Sequence, residues 1–245
     1  MNGSAVKFDG VSKAFGSKQV LRDVSFEVPA GMALCILGRS GTGKSVTLKL
    51  LIALLQPDEG KIWVEDDDVT QLQAHELSKV RRKMGYLFQD AALFDSLTLY
   101  ENLALPMLRL LNRSRDETDV AVDRALRQVG LACDGAKMPS ELSGGMRKRA
   151  GLARALVLEP RILLADEPSS GLDRITASEI DELMMEQKAT RNTTLIIVTH
   201  DVRGARRVGD RIAVFDKGKL IAFGTADEVE QSENEVARKL VTERC

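Results

Sequence analysis

The feature that most constrains the fold of this chain is a glycine-rich stretch between an apolar run and a helix-like run. Residues 38–45 read GRSGTGKS, which fits the pattern G-x-x-x-x-G-K-[ST]. The apolar residues 32–37 before it predict a buried strand, and residues 46–55 after it predict a helix. A strand, this loop and a helix in that order predict a phosphate-binding site, because backbone N–H groups at a helix N-terminus attract anions.

The residue types in this loop suit a nucleotide triphosphate and its metal ion. Gly38, Gly41 and Gly43 let the backbone approach the phosphates closely. Lys44 is predicted to neutralise the β- and γ-phosphates, and the Ser45 hydroxyl is predicted to bind Mg²⁺. The loop therefore predicts that the chain binds a nucleoside triphosphate with Mg²⁺.

Composition narrows the classes of partner. The chain has 35 basic and 36 acidic residues and a net charge of -1, which argues against nucleic acid held by a broad basic field. Cys35, Cys133 and Cys245 lie far apart, which predicts neither a disulfide framework nor a zinc site and fits a reducing cytosol. No secretory signal is expected, and no apolar run reaches the roughly 20 residues that span a bilayer, so we expect any membrane role to be peripheral.

The rest of the chain alternates between strand and helix patterns around a helical middle. Residues 98–158 are mainly helical in pattern, with Ser114 and Glu117 as a capping-box pair, and residues 175–188 predict a further helix. Residues 228–245 predict one polar amphipathic helix at the end. Buried or half-buried strands are predicted at residues 6–8, 24–28, 32–37, 61–65, 162–165, 195–199, 211–215 and 219–223. This alternation predicts an α/β fold with a parallel sheet covered by helices.

Two adjacent carboxylates end the predicted strand 162–165. In RILLADEP, Asp166 is predicted to help hold Mg²⁺, as in other proteins with this phosphate loop. Glu167 is then free to polarise the attacking water, since a general base must not be consumed as a metal ligand. The alternative is a solvated acidic pair that caps the next helix.

A second anion-binding pattern occurs at LSGGM. Ser143 is a good helix N-cap, and Gly144 and Gly145 let the backbone come close to an anion. Because one loop already holds one triphosphate, the economical arrangement is a two-fold dimer in which each chain's residues 143–145 close over the partner's nucleotide. An ordinary capped helix is the alternative.

These motifs together resemble those of ABC-type ATPases, and the resemblance extends from about residue 6 to residue 228. It implies an α/β P-loop NTPase fold of the ABC nucleotide-binding type, with a RecA-like parallel-sheet core, an antiparallel β-subdomain and an inserted helical subdomain. It also implies a single ABC ATPase domain over residues 1–245. Residues 1–88 and 159–245 would form the ATP-binding core with the β-subdomain, and residues 89–158 the helical subdomain that carries the signature motif.

The resemblance also implies roles for residues outside the phosphate loop. Gln89 in YLFQD is similar to the loop glutamine that contacts Mg²⁺ and reports to a transmembrane partner. Asp173 in SGLD is similar to the loop that crosses the dimer interface, and His200 in IIVTHD to the switch histidine that contacts the γ-phosphate. Phe15 is similar to the aromatic residue that stacks on adenine, with a core aromatic as the alternative. The nucleotide-binding residues implied are Phe15, Gly38, Arg39, Ser40, Gly41, Thr42, Gly43, Lys44, Ser45 and Val46; the metal ligands are Ser45, Gln89 and Asp166; and the catalytic residues are Glu167 and His200.

Within that family, residues 38–49, 86–107 and 142–154 resemble ATPase subunits of Mce/Mla-type lipid transport systems. This resemblance implies a homodimer at the cytoplasmic face of the inner membrane, phospholipid as the cargo, an integral-membrane permease, an MCE-domain protein and a small STAS-domain regulator, with no nucleic-acid partner. Leu93, Phe94 and Leu97 are either the permease-docking surface or part of the core of the helical subdomain.

Other functions are compatible with the same motifs. One alternative is the ATPase of another ABC transporter, such as an importer of polar solutes. A second is a non-transport ABC ATPase that assists iron-sulfur cluster assembly. DNA-repair and chromosome-organising ABC machines would require long coiled coils or tandem domains, which this sequence lacks.

Overall fold

The structure is a computed structural model that describes residues 3–111 and 113–242. The strands are β1 (Ser4–Phe15), β2 (Lys18–Pro29), β3 (Ala33–Gly38), β4 (Glu59–Val64), β5 (Asp67–Asp68), β6 (Met84–Leu87), β7 (Ile162–Asp166), β8 (Thr194–Val198), β9 (Arg211–Asp216) and β10 (Lys219–Gly224). The helices are α1 (Lys44–Leu51), α2 (Ala74–Arg81), α3 (Leu99–Leu110), α4 (Arg115–Gln128), α5 (Gly144–Leu156), α6 (Arg174–Arg191), α7 (Val202–Val208), α8 (Ala226–Glu230) and α9 (Glu235–Thr242).

The larger sheet has the strand order β10-β9-β3-β8-β7-β6. Strands β9, β3, β8, β7 and β6 are parallel to one another, and β10 is antiparallel to β9. The carboxyl ends of the parallel strands therefore meet at one edge of the sheet, which is where ligands bind in open α/β folds.

Helices cover both faces of this sheet, so the residues of its central strands β3, β7 and β8 are all buried. On β3, Leu34 and Ile36 point to one face, where Leu48 of α1 packs in the same cluster. Cys35 and Leu37 point to the opposite face and belong to a second cluster that includes residues of α5 and α6. Strands that are buried on both faces read as continuous apolar runs in the sequence, which is why the pattern of β3 was informative.

The smaller sheet is antiparallel, with the order β2-β1-β4-β5. Val6 on β1 pairs with Val28 on β2 and with Val64 on β4. The rings of Phe8 and Phe26 stack across β1 and β2 with centroids 4.6 Å apart. This sheet shares its apolar cluster with one face of the larger sheet, so it is fixed against the core.

The helical part has an apolar cluster of its own, formed mainly by α3, α4 and α5. Ser114 caps α4 and Glu117 completes the capping box, as the sequence predicts. Leu93 packs against this cluster, whereas Phe94 is 51% exposed. Of the two readings for this apolar segment, burial applies to Leu93 and not to Phe94.

Two predicted helices differ from the structure. The helix predicted over residues 46–55 ends at Leu51, because Ala53 adopts a left-handed conformation with φ of 52°. The helix predicted over residues 228–245 is instead two short helices, α8 and α9, separated at residues 231–234, where the Asn234 side chain accepts hydrogen bonds from the first turn of α9. The end of that predicted helix, including Cys245, lies outside the described residues.

The predicted α/β architecture is confirmed in its three parts, namely a mainly parallel sheet, an antiparallel sheet and a helical part. The predicted boundaries of the subdomains at residues 88 and 159 stay a prediction. None of the helices in the described ranges combines the length and the apolar character that crossing a membrane requires.

Candidate active site

A cleft of about 790 Å³ lies at the carboxyl edge of the larger sheet. The loop after β3 forms its floor, and residues that follow β6, β7 and β8 line its sides. The predicted residues that line this cleft are Phe15, Gly38, Arg39, Ser40, Gly41, Gly43, Lys44, Ser45, Val46, Gln89, Glu167 and His200. The fold therefore brings together most of the side chains that the sequence analysis singled out from distant parts of the chain.

The phosphate loop has a backbone shape that its glycines make possible. Gly43 adopts φ of 103°, and a Cβ there would lie 2.8 Å from the Val20 carbonyl oxygen. A side chain at this position would thus face both an unfavourable backbone conformation and a collision with backbone. The Thr42 hydroxyl donates a hydrogen bond of 2.9 Å to the Arg39 carbonyl, which closes the loop on itself.

Lys44 is held inside the curve of this loop. Its side chain is buried, and its ammonium donates hydrogen bonds of 2.8 Å to the Gly38 carbonyl and 3.3 Å to the Arg39 carbonyl. Burial lowers the pKa of Lys44, while the nearby Glu167 and Asp166 carboxylates act in the opposite direction. The ammonium is thus positioned by main-chain oxygens in a pocket of limited solvent access.

Ser45 and Asp166 meet at the start of α1. The Ser45 hydroxyl donates a hydrogen bond of 2.9 Å to Asp166 Oδ1. Burial raises the pKa of Asp166, and the hydrogen bond from Ser45 opposes that rise. Two residues that are 121 positions apart in the sequence thus present adjacent oxygen atoms.

Glu167 and His200 form a second polar pair at the same edge. Glu167 Oε2 lies 2.7 Å from His200 Nδ1 and accepts a hydrogen bond of 3.3 Å from the His200 main-chain N–H. The Glu167 backbone is left-handed, with φ of 49°, and its N–H donates to the Val198 carbonyl. The two neighbouring carboxylates therefore have different partners, since Asp166 accepts from Ser45 and Glu167 contacts His200.

Phe15 lies at the mouth of the cleft. It ends β1, is 47% exposed, and has the Lys13 ammonium 5.5 Å from its ring centroid. The alternative of a core aromatic is therefore wrong for this residue. An exposed ring beside a phosphate loop is available to stack on a planar group.

Ser143 and Asp173 stand apart from the residues of the cleft. Ser143 caps α5, where its hydroxyl accepts a hydrogen bond from the Met146 N–H, and both Ser143 and Gly144 are exposed. Asp173 caps α6 by accepting hydrogen bonds from the Ile175 and Thr176 main-chain N–H groups. The Thr176 hydroxyl, which also donates to this carboxylate, and these main-chain bonds hold the pKa of the Asp173 carboxyl low. None of residues 143–145 or 173 lines the cleft, so one chain alone does not bring them to its own phosphate loop.

One buried cation near the cleft was missed by the sequence analysis. Lys148 on α5 donates hydrogen bonds to the Gln89 carbonyl and, at 3.0 Å, to the Glu167 carbonyl. In the sequence Lys148 is one of several basic residues in MRKR, residues 146–149, and these two hydrogen bonds are made to main-chain atoms. No side-chain pattern could have indicated them.

Comparison with known proteins assigns the chain to a family. Residues 21–170 match the family model described as "ABC transporter". The chain is 43% identical to the "Probable ribonucleotide transport ATP-binding protein mkl" of Mycobacterium leprae, over 99% of this chain and 70% of that protein. It is 39% identical to "Methionine import ATP-binding protein MetN 1" of Paraburkholderia xenovorans, over 92% of this chain and 66% of that protein.

Solved structures agree with this assignment. The ATP-binding cassette MJ0796, solved as a dimer in a post-hydrolysis state with ADP and Pi, superposes with a TM-score of 0.84 and 32% identity, covering 90% of this chain and 98% of that chain. The cbiO1 protein of Clostridium perfringens superposes with a TM-score of 0.85 and 29% identity, covering 99% and 96% of the two chains. The architecture is thus the ABC-type P-loop NTPase fold, and the chain belongs to the ABC transporter family as an ATP-binding subunit that couples ATP hydrolysis to transport.

Proposed function

We propose that Glu167 is the general base for ATP hydrolysis and that His200 orients it. The observation that carries this proposal is the contact of 2.7 Å between Glu167 Oε2 and His200 Nδ1 at the edge of the phosphate-loop cleft. A carboxylate that lies near the cleft and is not engaged with Ser45 remains available to accept a proton from water. Lys44 and the N–H groups of residues 38–46 bind the phosphates, and Phe15 stacks on the base.

The residues of this site fit a magnesium ion. Ser45 and Asp166 present oxygen atoms 2.9 Å apart, and Gln89, whose amide offers another oxygen, lines the same cleft. Hard oxygen donors are the ligands that Mg²⁺ prefers, with substrate phosphates completing its coordination. These three residues would hold the ion, which when bound neutralises charge on the phosphates.

We also propose that the working unit is a two-fold dimer that encloses two nucleotides. Ser143 and Gly144 lie exposed at the N-terminus of α5, a position that suits an anion, and they do not line the cleft of their own chain. In a two-fold arrangement, this end of α5 covers the partner's nucleotide, with Asp173 at the same interface. ATP then joins the two chains, and hydrolysis releases them.

This arrangement predicts an ATP-dependent crosslink between the phosphate loop of one chain and α5 of another. One chain would carry Ser40→Cys and the other Ser143→Cys, both in a Cys133→Ser, Cys245→Ser background with Glu167→Gln to retain ATP. The remaining Cys35 is buried, and burial raises the pKa of its thiol, so it should not react. A bismaleimide should give a crosslinked dimer with ATP and none without nucleotide.

A matched control uses Ser114→Cys in place of Ser143→Cys. Ser114 is also an exposed N-cap serine of the helical part, at α4 instead of α5. Equal crosslinking through position 114, or a Ser40→Cys, Ser143→Cys double variant that links only within one chain, would contradict the dimer proposal.

For the cargo, we propose phospholipid moved through an integral-membrane permease with an MCE-domain partner and a STAS-domain regulator, at the cytoplasmic face of the inner membrane. The support is the resemblance of residues 38–49, 86–107 and 142–154 to Mce/Mla-type ATPases. The exposed Phe94, which follows Gln89 in the same loop region, is a contact for the permease in this proposal. Closure of the ATP-bound dimer would then switch the permease between two conformations.

A small polar solute is the second candidate cargo. It is favoured by the names of the relatives, which refer to ribonucleotide transport and methionine import. The same ATPase chemistry would serve either cargo, because the ATP-binding subunit need not contact what the permease carries.

The two cargoes are separated by purifying the tagged Glu167→Gln chain from detergent-solubilised membranes and identifying its partners by mass spectrometry. The expected result is a multi-span permease together with an MCE-domain protein. A permease with a solute-binding protein would contradict the lipid proposal and favour the polar solute. Absence of any membrane partner would contradict both and favour a non-transport role such as iron-sulfur assembly.

A further inference from the structure

The loop that carries Gln89 has a backbone conformation that its own residues do not favour. Ala91 and Ala92 are consecutive residues with φ of 58° and 49°. The left-handed region is unfavourable for any residue with a Cβ, and two such residues in succession are rare outside glycine-rich turns. Contacts from elsewhere in the structure must therefore hold this loop.

Those contacts come from one face of α5. Lys148 donates to the Gln89 carbonyl, and Arg154 donates to the Ala91 carbonyl at 3.3 Å and also to the Ala92 carbonyl. Between these two cations, a Cβ on Gly151 would lie 2.8 Å from Ala91 Cβ and 3.0 Å from Ala91 Cα. The missing side chain thus lets the loop lie directly on the helix, within reach of both cations.

Lys148 also connects this loop to the catalytic edge. Its ammonium donates to the Glu167 carbonyl at 3.0 Å and to the Ser170 hydroxyl at 3.4 Å. With the Gln89 carbonyl, these acceptors match the three donors of an ammonium group. Lys148 is only 7% exposed, so the three bonds replace water for a charge that would otherwise be unfavourable to bury.

Nearby carboxylates favour the positive charge of Lys148. Burial lowers the pKa of Lys148, and the carboxylates of Asp90, Glu167 and Asp166 oppose that effect. Arg154 is half-buried, and burial lowers the pKa of its guanidinium as well. Lys148 is therefore buried between α5 and the loops after β6 and β7, whereas Arg154 is partly exposed. Most of the acceptors of both cations are main-chain carbonyl groups.

We propose that Lys148 and Arg154 are positioning residues that hold the strained Gln89–Ala92 loop on α5, and that Lys148 links this loop to the main chain of Glu167. The inference rests on the proposed roles of Gln89 and Glu167. Ser143 lies at the N-terminus of the same helix. Helix α5 therefore connects the surface that covers the partner's nucleotide with the permease-facing loop and with Glu167 of its own chain. A displacement of the Gln89–Ala92 loop is then transmitted to Glu167 through the Lys148 ammonium group.

The test compares Lys148→Met with Lys137→Met in the full chain, by ATP turnover and by amide hydrogen exchange. Lys137 is a lysine of the helical part whose side chain is 44% exposed and pairs with Asp134, so it controls for the loss of a lysine. In Lys148→Met we expect kcat to fall about ten-fold, since bonds from a buried charge are lost, with KM changed less than about two-fold. Exchange at residues 88–92 should accelerate about ten-fold, while β3 exchanges as in the parent chain.

The second variant, Arg154→Met, separates the two parts of the proposal. It should accelerate exchange at residues 88–92 as Lys148→Met does, with a smaller fall in kcat, because Arg154 does not contact Glu167. Lys148→Gln, which keeps N–H donors without the charge, should recover part of both losses. It also supplies the test if Lys148→Met does not fold.

Parent-like exchange at residues 88–92 in both Lys148→Met and Arg154→Met would overturn the proposal. A fall in kcat without faster exchange would equally overturn it, since Lys148 would then act without positioning the loop. Repeating the exchange measurements in a Glu167→Gln background, where no turnover is needed, tests the contacts alone. If Glu167→Gln itself hydrolyses ATP normally, the catalytic assignment fails while the exchange result still decides the positioning role.

Discussion

Replacing Glu167 with glutamine is expected to lower kcat for ATP hydrolysis by about a hundred- to ten-thousand-fold, the range that general base catalysis contributes. Glutamine has nearly the same shape, and its amide oxygen can still accept the hydrogen bond from the His200 main-chain N–H. It cannot accept a proton from water. ATP binding should be retained, because in the proposed site the phosphate contacts come from the loop after β3.

The measurements are steady-state phosphate release and equilibrium nucleotide binding on the same preparation. Glu186→Gln is the matched control, since Glu186 is an exposed glutamate on α6 away from the cleft. A Glu167→Gln chain that retains more than a tenth of the parent's kcat would remove Glu167 from the role of base. A chain that loses ATP binding would indicate a structural effect instead.

Replacing Lys44 with methionine is expected to weaken ATP binding by about 2 to 4 kcal/mol, or roughly thirty- to a thousand-fold, as truncation of one partner in a buried charge pair does. Lys44 is 8% exposed and already oriented by the Gly38 and Arg39 carbonyls, so little freedom is lost when it meets a phosphate. Methionine keeps much of the volume of the side chain and removes its charge and donors.

Isothermal titration with ATP and Mg²⁺ measures this loss directly. Lys49→Met provides the control, because Lys49 is an exposed lysine on the same helix, and its affinity should change less than about three-fold, as expected for a charge screened by solvent. Equal losses in the two variants would show that general positive charge, and not the position of Lys44, holds the phosphates.

The sequence predicted the carboxyl edge of the larger sheet well, because its signals are local. The loop at residues 38–45 and the pair Asp166 and Glu167 each follow an apolar run long enough to identify a buried strand. Strand β6, by contrast, was not predicted, because its four residues are too few for the periodicity of a strand to be recognised. Helix α7, with seven residues, was missed for the same reason.

The ends of helices were predicted less well than their existence. Residues 52–55 continue the apolar pattern of α1 with no glycine or proline. At the left-handed turn the Arg81 guanidinium donates to the Ile52 and Ala53 carbonyls, a contact that the sequence does not display. Asn234 is a recognisable N-cap for α9, but the polar pattern on both sides of it masks the break. Local patterns specify where a helix can form, and tertiary contacts determine where it stops.

The contacts of Lys148 and Arg154 with the Gln89 loop have an evolutionary consequence. Their acceptors are carbonyl oxygens, which every residue type has, so the side chains at positions 89 and 92 can vary without any compensating change at Lys148 or Arg154. Position 91 is the exception, because Ala91 packs against Gly151 of α5. We expect no covariation between positions 148 and 89 among homologues. We instead expect Lys148 to be kept in homologues whose loop has the same length and backbone shape. It should be replaced where that loop gains a glycine or changes length.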